Sequence, residues 1–221
     1  MINIAIDGHV GSGKSTLAKA IAKRLGFNVF DTGALYRTIA CEYMSRHLGE
    51  PDEQVIAEFA KDINITVKFV DGNQYVYING KDYTGQLRFE ETSVMAGKVA
   101  VFPAIRAKVK RLQQDYAKKH NVVMEGRDIA TEILPNANFK FFVTASEKVR
   151  AERRYLQIKD KQNSPSYDEI LKDLRERDYR DEHREISPLK PAKDSIIIDS
   201  SNQTLEETIE ECLRIIKKKI S

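Results

Sequence analysis

Short apolar runs alternate along the chain with longer segments that have a helical spacing of apolar residues. Together they predict short strands separated by helices. Between the apolar runs, apolar residues recur every three to four positions, as in Ala18, Ile21 and Leu25, which is typical of a helix with one buried face. Strands that alternate with helices favour a parallel sheet, so we expect an α/β fold, a three-layer α/β/α sandwich with a five-stranded parallel sheet. The five predicted strands lie at Ile2–Ile6, Asn28–Phe30, Asn121–Met124, Phe139–Thr144 and Ser195–Asp199.

A different pattern occupies residues of about 62–88. Apolar residues alternate with polar ones from Ile63 to Phe69 and again near Tyr75, and the pairs Asp71-Gly72 and Asn79-Gly80 are typical of hairpin turns. We therefore predict a small β-rich insertion. It is either a lobe on the substrate side or a structural addition without a role in chemistry.

The first predicted strand leads directly into a glycine-rich segment and then a helix. The segment Gly8–Ser15 reads G-x-x-x-x-G-K-S, and this context is typical of a P-loop that binds the phosphates of ATP. Backbone N–H groups and the helix N-terminus attract the phosphates, while Lys14 is expected to reach the β and γ phosphates and Ser15 to hold Mg²⁺. The residues expected to bind ATP here are Gly8, His9, Val10, Gly11, Ser12, Gly13, Lys14, Ser15 and Thr16.

Composition restricts the class of protein further. The chain has 221 residues, of which 31% are charged, and its formal net charge of +3 is too small to indicate nucleic-acid binding by itself. No apolar run approaches the length of a membrane span, and the N-terminus lacks the layout of a signal peptide. These two absences predict a cytoplasmic protein. Cys41 and Cys212 lie in unrelated contexts, so we expect two reduced cysteines packed in helices.

Charged residues gather in the second half of the chain. Glu125-Gly126-Arg127-Asp128 ends a buried strand, where three charges are more favourable in a ligand cleft than in the core. Two predicted helices each carry an arginine-rich face, separated by a polar break at Lys159–Ser166, and such faces are either solvated or part of a hinged lid over phosphates. The two faces contain Arg150, Arg153 and Arg154, and then Arg177, Arg180, Asp181 and Arg184.

The arrangement favours phosphoryl transfer over other chemistries. The chain has no guanine-reading NKxD motif, no Ser-His-Asp spacing and no cluster with metal-ligand spacing. Phosphoryl transfer requires positioned reactants and positive charge where negative charge develops. A P-loop would bind the donor, and the separate arginines would bind an anionic acceptor.

The motifs taken together resemble the bacterial cytidylate kinases from end to end. They are the P-loop, Asp31-Thr32-Gly33-Ala34-Leu35-Tyr36-Arg37, Val101–Arg106, Gly126-Arg127-Asp128, Arg150–Arg154, and Arg177–Asp181 with Arg184 and Pro188. The resemblance implies a single P-loop kinase domain over residues 1–221, with a monophosphate-binding region at 36–115 and a lid at 155–187. It also implies direct in-line transfer of the γ-phosphate of ATP to CMP or dCMP with Mg²⁺, by a monomer that binds small nucleotides and neither nucleic acid nor membrane.

The same resemblance assigns individual residues. It implies that Arg37, Arg127 and Arg184 bind the CMP phosphate, Arg177 and Asp181 the ribose, and Arg106 and Asp128 the cytosine ring. It also implies that Thr32 lies near the acceptor and that Arg153 and Arg154 lie near ATP. The residues expected to be catalytic are Lys14, Arg127, Arg177 and Arg184.

One position departs from the family pattern. Gly97 stands where many members have a serine that helps to hold cytosine, so the expected substrate-binding position lacks a side-chain donor. The alternatives are another small P-loop kinase, acting on uridylate, shikimate or dephospho-coenzyme A, or a nucleotide-dependent RNA-binding protein that uses its arginine faces for phosphates.

Overall fold

The computed structural model describes residues 1–86, 89–160 and 164–220. Its strands are β1 Asn3–Gly8, β2 Asn28–Asp31, β3 Ile65–Val70, β4 Asn73–Ile78, β5 Lys81–Asp82, β6 Val122–Gly126, β7 Phe139–Thr144 and β8 Ile196–Asp199. Its α-helices are α1 Lys14–Leu25, α2 Thr32–Ser45, α3 Glu53–Asp62, α4 Glu90–Val99, α5 Pro103–Lys119, α6 Glu147–Ile158, α7 Tyr167–His183 and α8 Leu205–Ile220. A 3₁₀ turn at Thr84–Gln86 and a π-helix at Ile129–Ile133 complete the elements.

The strands form two sheets. The larger has five strands in the order β2-β6-β1-β7-β8, and β1 is parallel to both β6 and β7, as β7 is to β8. The smaller is antiparallel, in the order β3-β4-β5. The predicted α/β fold with a five-stranded sheet is confirmed.

The chain divides into two compact units. The first unit holds Met1 and Asn28–Asn121, which include the whole predicted monophosphate-binding region at 36–115. The second holds Ile2–Phe27 and the chain from Val122 onward. The bounds of a lid at 155–187 stay a prediction, and residues 161–163 of that segment lie outside the described residues.

The first unit contains the predicted β-rich insertion. Both turns have positive φ at their two central residues, 51° and 74° at Asp71-Gly72 and 51° and 82° at Asn79-Gly80, which suits the twist of an antiparallel hairpin. The predicted β-rich insertion is therefore confirmed. Its last predicted residues, 87 and 88, lie outside the described part of the chain.

A buried carboxylate joins helix α2 to the segment that follows the small sheet. Glu42 accepts hydrogen bonds from the Tyr83 hydroxyl and from Nε of Arg46, the latter at 2.7 Å. Burial would raise the pKa of Glu42, but these two hydrogen bonds outweigh it and hold the pKa below its usual value. The guanidinium of Arg46 also lies over the ring of Phe59, so the cluster connects α2 with α3 as well.

The core of the second unit is built around β1 and its two neighbours, β6 and β7. Ile4, Ala5 and Ile6 of β1 are fully buried between β6 and β7. Helix α1 follows β1 after the glycine-rich segment, and it packs against α8. Helices α6 and α7 pack together through a small apolar cluster that includes Val10 of the glycine-rich segment. These contacts place the glycine-rich segment between the sheet and the α6–α7 pair.

Candidate active site

The glycine-rich segment has the backbone that its sequence predicts. A Cβ at Gly8, where φ is +151°, would lie 2.0 Å from the carbonyl oxygen of Val143, so only glycine fits here. Gly13 precedes α1 in the left-handed region. Nζ of Lys14 donates to the carbonyl oxygen of His9 at 3.1 Å, which keeps the ammonium over the loop. The His9 ring contacts Glu182 of α7 through Nε2 at 2.8 Å.

The first residues of α1 place an oxygen pair beside Lys14. The Ser15 hydroxyl donates to Oε1 of Glu125 at 2.7 Å, and Glu125 is only 6% exposed. A hydroxyl and a carboxylate are hard oxygen ligands of the kind that Mg²⁺ prefers. The donors therefore fit the predicted Mg²⁺ role of Ser15, and among the described residues no group of three or more His, Cys, Asp or Glu forms a separate metal cluster.

Positive charge surrounds Lys14. Burial, together with Arg127, lowers the pKa of Lys14 from 10.5 to about 7, with a smaller contribution from Arg177 in the same direction and an opposing one from Glu125. Negative charge brought next to Lys14 would favour its charged form again and would be stabilised by all three cations. The three cations thus form a region suited to phosphate groups.

The arginines at the end of β6 and on α7 are interleaved with carboxylates. Nε of Arg127 donates to Oδ2 of Asp181 at 2.7 Å, and Nη2 of Arg184 lies 3.7 Å from Oδ2 of Asp128. Burial would raise the pKa of Asp181, but three guanidinium groups hold it below its usual value. They belong to Arg127, Arg177 and Arg184. The structure therefore brings together the predicted acceptor residues of the second unit.

The predicted helical face that included Arg184 needs a correction. Helix α7 ends at His183, and Arg184 has the extended dihedrals φ −63° and ψ 140°. Its Nε donates to the carbonyl oxygen of Ser187, beyond the helix. Arg184 thus reaches Asp128 from the segment after the helix and not from the face that carries Arg177.

The three arginines of α6 do not share one environment, although their spacing puts them on one face. Arg150 is 4% exposed and donates to the carbonyl oxygen of Val10 and to Asp178. Arg153 donates to Ser200 Oγ and to its carbonyl oxygen, at 3.0 and 2.7 Å, while Arg154 is exposed. The arginine-rich face of α6 therefore contains both structural and solvent-facing cations.

The remaining predicted residues lie in the first unit. Asp31 caps α2 by accepting from the backbone N–H of Ala34, and its other carboxylate oxygen accepts from Nη2 of Arg37 at 3.2 Å. Thr32 is buried, and its hydroxyl accepts from the side chain of Gln113 at 3.1 Å. These contacts hold Thr32 and Arg37 together at the start of α2.

The residues of the first unit that are predicted to contact the base lie around the α4–α5 junction. Nη1 of Arg106 donates to the carbonyl oxygen of Ala100 at 3.4 Å. Gly97 is exposed on α4, and a Cβ there would meet nothing within 4 Å. The glycine is therefore not required by packing.

Sequence comparison decides the family. A family model described as cytidylate kinase matches residues 4–218. The chain belongs to the cytidylate kinase family. Cytidylate kinases from Caldicellulosiruptor bescii and Lactobacillus gasseri are 40% and 42% identical to it, over alignments that cover 98% and 99% of this chain and 96% and 95% of theirs. The predicted family is confirmed.

Solved structures support the fold of this cytidylate kinase family member. A protein from Eubacterium ventriosum has a TM-score of 0.53 at 14% identity, covering 98% of this chain and 99% of that chain. A Thermus thermophilus protein has a TM-score of 0.51 at 20% identity, covering 100% and 98%. Among the described residues of the chain, the structure contains no helix long and apolar enough to span a membrane.

Three charged residues of the site were not among the predicted site residues. Glu125 was recognised only as part of a charged strand end, and its contact with Ser15 depends on β6 lying beside β1. Spacing alone does not distinguish Arg150 from Arg153 and Arg154, yet Arg150 is the buried one. Asp7 is 1% exposed and accepts from two backbone N–H groups of residues more than a hundred positions away. The sequence signal for Asp7 is a carboxylate that directly follows the apolar run Ile4–Ile6.

Proposed function

We propose that the protein transfers the γ-phosphate of ATP to CMP or dCMP, giving ADP and CDP or dCDP. The proposal is carried by the cluster of Lys14, Arg127, Arg177 and Arg184 beside a P-loop, in a chain of the cytidylate kinase family. Phosphoryl transfer depends on positioning and on positive charge where negative charge develops, and this cluster supplies both.

We infer that the P-loop holds the donor. Backbone N–H groups of Gly8 to Thr16 bind the phosphates of ATP, and Lys14 stabilises the charge that develops as the γ-phosphate is transferred. Mg²⁺, when bound, neutralises phosphate charge, and Ser15 with the neighbouring Glu125 would hold it. Arg153 and Arg154 lie on the helix expected to cover ATP.

The acceptor is bound by guanidinium groups and read by a carboxylate. Arg37, Arg127 and Arg184 bind the CMP phosphate, because a guanidinium matches two phosphate oxygens at once. Arg177 and Asp181 bind the ribose, and Thr32 lies near the acceptor phosphate. The phosphate of CMP is already ionised at neutral pH, so direct in-line transfer needs no general base.

Recognition of the base rests on Asp128 and Arg106. A carboxylate accepts a hydrogen bond from the 4-amino group of cytosine, and uracil lacks that donor. Gly97 provides no side-chain hydrogen bond to the base, so discrimination depends more heavily on Asp128 than it would with a serine there.

The remaining expectations follow from the family. We propose a monomer that acts in the cytoplasm on small nucleotides and binds neither nucleic acid nor membrane. Sedimentation at micromolar concentration tests the monomer, and a salt titration with RNA tests the nucleic-acid alternative, which requires strongly salt-dependent binding.

A substrate panel tests the central proposal. ADP release is measured with ATP, Mg²⁺ and CMP, dCMP, UMP or AMP in turn, for the parent and for Lys14→Ala, Asp128→Ala and the surface control Glu147→Ala. We expect CMP and dCMP to be preferred, Lys14→Ala to abolish turnover, and Asp128→Ala to reduce the preference for CMP over UMP. Turnover that no monophosphate stimulates would refute the kinase proposal, and an unchanged preference in Asp128→Ala would refute the role of Asp128.

A further inference from the structure

Asp7 lies at the end of β1, directly before the P-loop, and none of the proposed nucleotide contacts uses it. Its side chain is 1% exposed, in a strand whose other central residues are apolar. An isolated carboxylate in such a place is unfavourable unless its oxygens are hydrogen-bonded. Both oxygens are: Oδ1 accepts from the backbone N–H of Ile129 at 2.8 Å, and Oδ2 from that of Ala130 at 2.7 Å.

These two N–H groups begin the π-helix Ile129–Ile133. The first N–H groups of any helix lack partners within the helix, and here the Asp7 carboxylate oxygens are their hydrogen-bond acceptors. The Asp128 carbonyl oxygen accepts in turn from the N–H groups of Glu132 and Ile133, so the first turn is held from both sides.

The backbone of Asp7 fixes the other end of the same segment. In the parallel pairing of β1 with β6, Asp7 lies opposite Gly126, the last residue of β6. Only Arg127 and Asp128 lie between Gly126 and Ile129. The backbone and the side chain of one residue thus hold both ends of a two-residue segment.

We propose that Asp7 is a positioning residue for the acceptor nucleotide, which fixes the backbone around Arg127-Asp128 so that these two side chains point at CMP. This inference rests on the proposed roles of Arg127 and Asp128. It explains why the position carries a carboxylate: two N–H donors need two acceptor oxygens, and an asparagine has only one.

Kinetics on Asp7→Asn test the inference, because the variant keeps the shape of the side chain and turns one acceptor into a donor. We expect KM for CMP to rise, and the preference for CMP over UMP to fall, by about tenfold, which corresponds to one lost buried hydrogen bond. KM for ATP is expected to change by less than about twofold. A purely structural role would change the KM values for CMP and ATP to a similar extent.

Two further variants separate the possible causes. Lys140→Met is the matched control, since it removes another buried charge of the same sheet, paired with Asp194 at 2.7 Å and not among the proposed nucleotide contacts. We expect it to leave both KM values unchanged.

Asp128→Asn tests the proposed function itself: if it raises KM for CMP and Asp7→Asn does not, the inference about Asp7 fails alone. If Asp128→Asn has no effect on CMP, the role of Asp128 and the inference both fail. Equal changes in the two KM values of Asp7→Asn would also overturn the inference.

Amide hydrogen exchange on the parent protein gives a second test that needs no variant, in case Asp7→Asn does not fold. The amides of Ile129 and Ala130 are expected to exchange as slowly as those of the β6 ladder. Exchange at the rate of surface amides would show that Asp7 does not hold this turn, and would overturn the inference.

Discussion

The buried ion pair between α6 and α7 allows a sharp prediction of stability. Nη1 of Arg150 lies 2.6 Å from Oδ2 of Asp178, and the two side chains are 4% and 11% exposed. Arg150 also donates to the carbonyl oxygens of Ala145 and Val10, at 2.9 and 3.0 Å. Asp178→Ala removes the counter-charge and leaves a guanidinium that these other contacts keep in place.

The expected cost follows from burial. Removing one partner of a buried pair leaves an uncompensated charge, which costs about 3–5 kcal/mol. For a protein of this size, that loss corresponds to a decrease in Tm of about 10 °C. Replacing both partners by apolar residues, as in Arg150→Met with Asp178→Leu, is expected to restore most of the stability, because no buried charge remains.

Thermal and urea unfolding of three variants measure the effect. The matched control is Glu147→Ala, which breaks the pair with Arg175 between the same two helices. That pair has a similar distance of 2.8 Å, but its side chains are 49% and 58% exposed. The control is expected to cost about 0–1 kcal/mol. If Asp178→Ala costs no more than Glu147→Ala, or if the double variant is less stable than Asp178→Ala, the account of a buried charge is wrong.

Three other predictions concern protonation, thiol reactivity and helix stability. Burial raises the pKa of Asp7 from 3.8 to about 6, so the folded protein binds this proton more tightly than the unfolded chain, and the resulting stabilisation is lost as pH rises from about 4 through 6. Unfolding titrations at several pH values should show that the unfolding free energy of the parent falls by about 3 kcal/mol relative to that of Asp7→Asn over this range. Parallel curves for the two proteins would contradict the raised pKa of Asp7. Cys41 and Cys212 are buried, and burial raises the pKa of Cys212 to about 12, so a thiol reagent at pH 8 should modify both only after denaturation. Gly97→Ala should raise the unfolding free energy by about 0.5–1 kcal/mol, since a Cβ fits there and alanine favours the helix, and a loss of stability would show that the glycine is required.

Local sequence chemistry predicted the elements whose causes are local. The P-loop follows from its spacing, and the two hairpin turns follow from Asp-Gly and Asn-Gly pairs with positive φ. Pro103 marks the start of α5 because the first turn of a helix does not use the N–H group that proline lacks. The arginines predicted to bind phosphate follow from motifs, since a motif carries the position of each residue along the chain.

Features that depend on distant residues could not be predicted in this way. Spacing alone gave Arg150 and Arg154 the same face, and only the packing of α7 and Val10 buries one and leaves the other exposed. The role of Asp7 requires knowing that the turn after β6 lies beside the end of β1. The π-helix is a single turn of five residues, too short for a repeating pattern, and its first N–H groups bond to Asp7, outside the segment.

The cluster of Glu42, Arg46 and Tyr83 restricts how this sequence can change over evolutionary time. Loss of Glu42 alone would leave the arginine and the hydroxyl without their shared acceptor, and loss of either partner would leave the carboxylate less well compensated. Each single step therefore passes through a less stable protein, whereas a coordinated replacement by apolar residues need not. Lineages should keep all three residues or replace them together, and enzymes with only one or two of them should be rare.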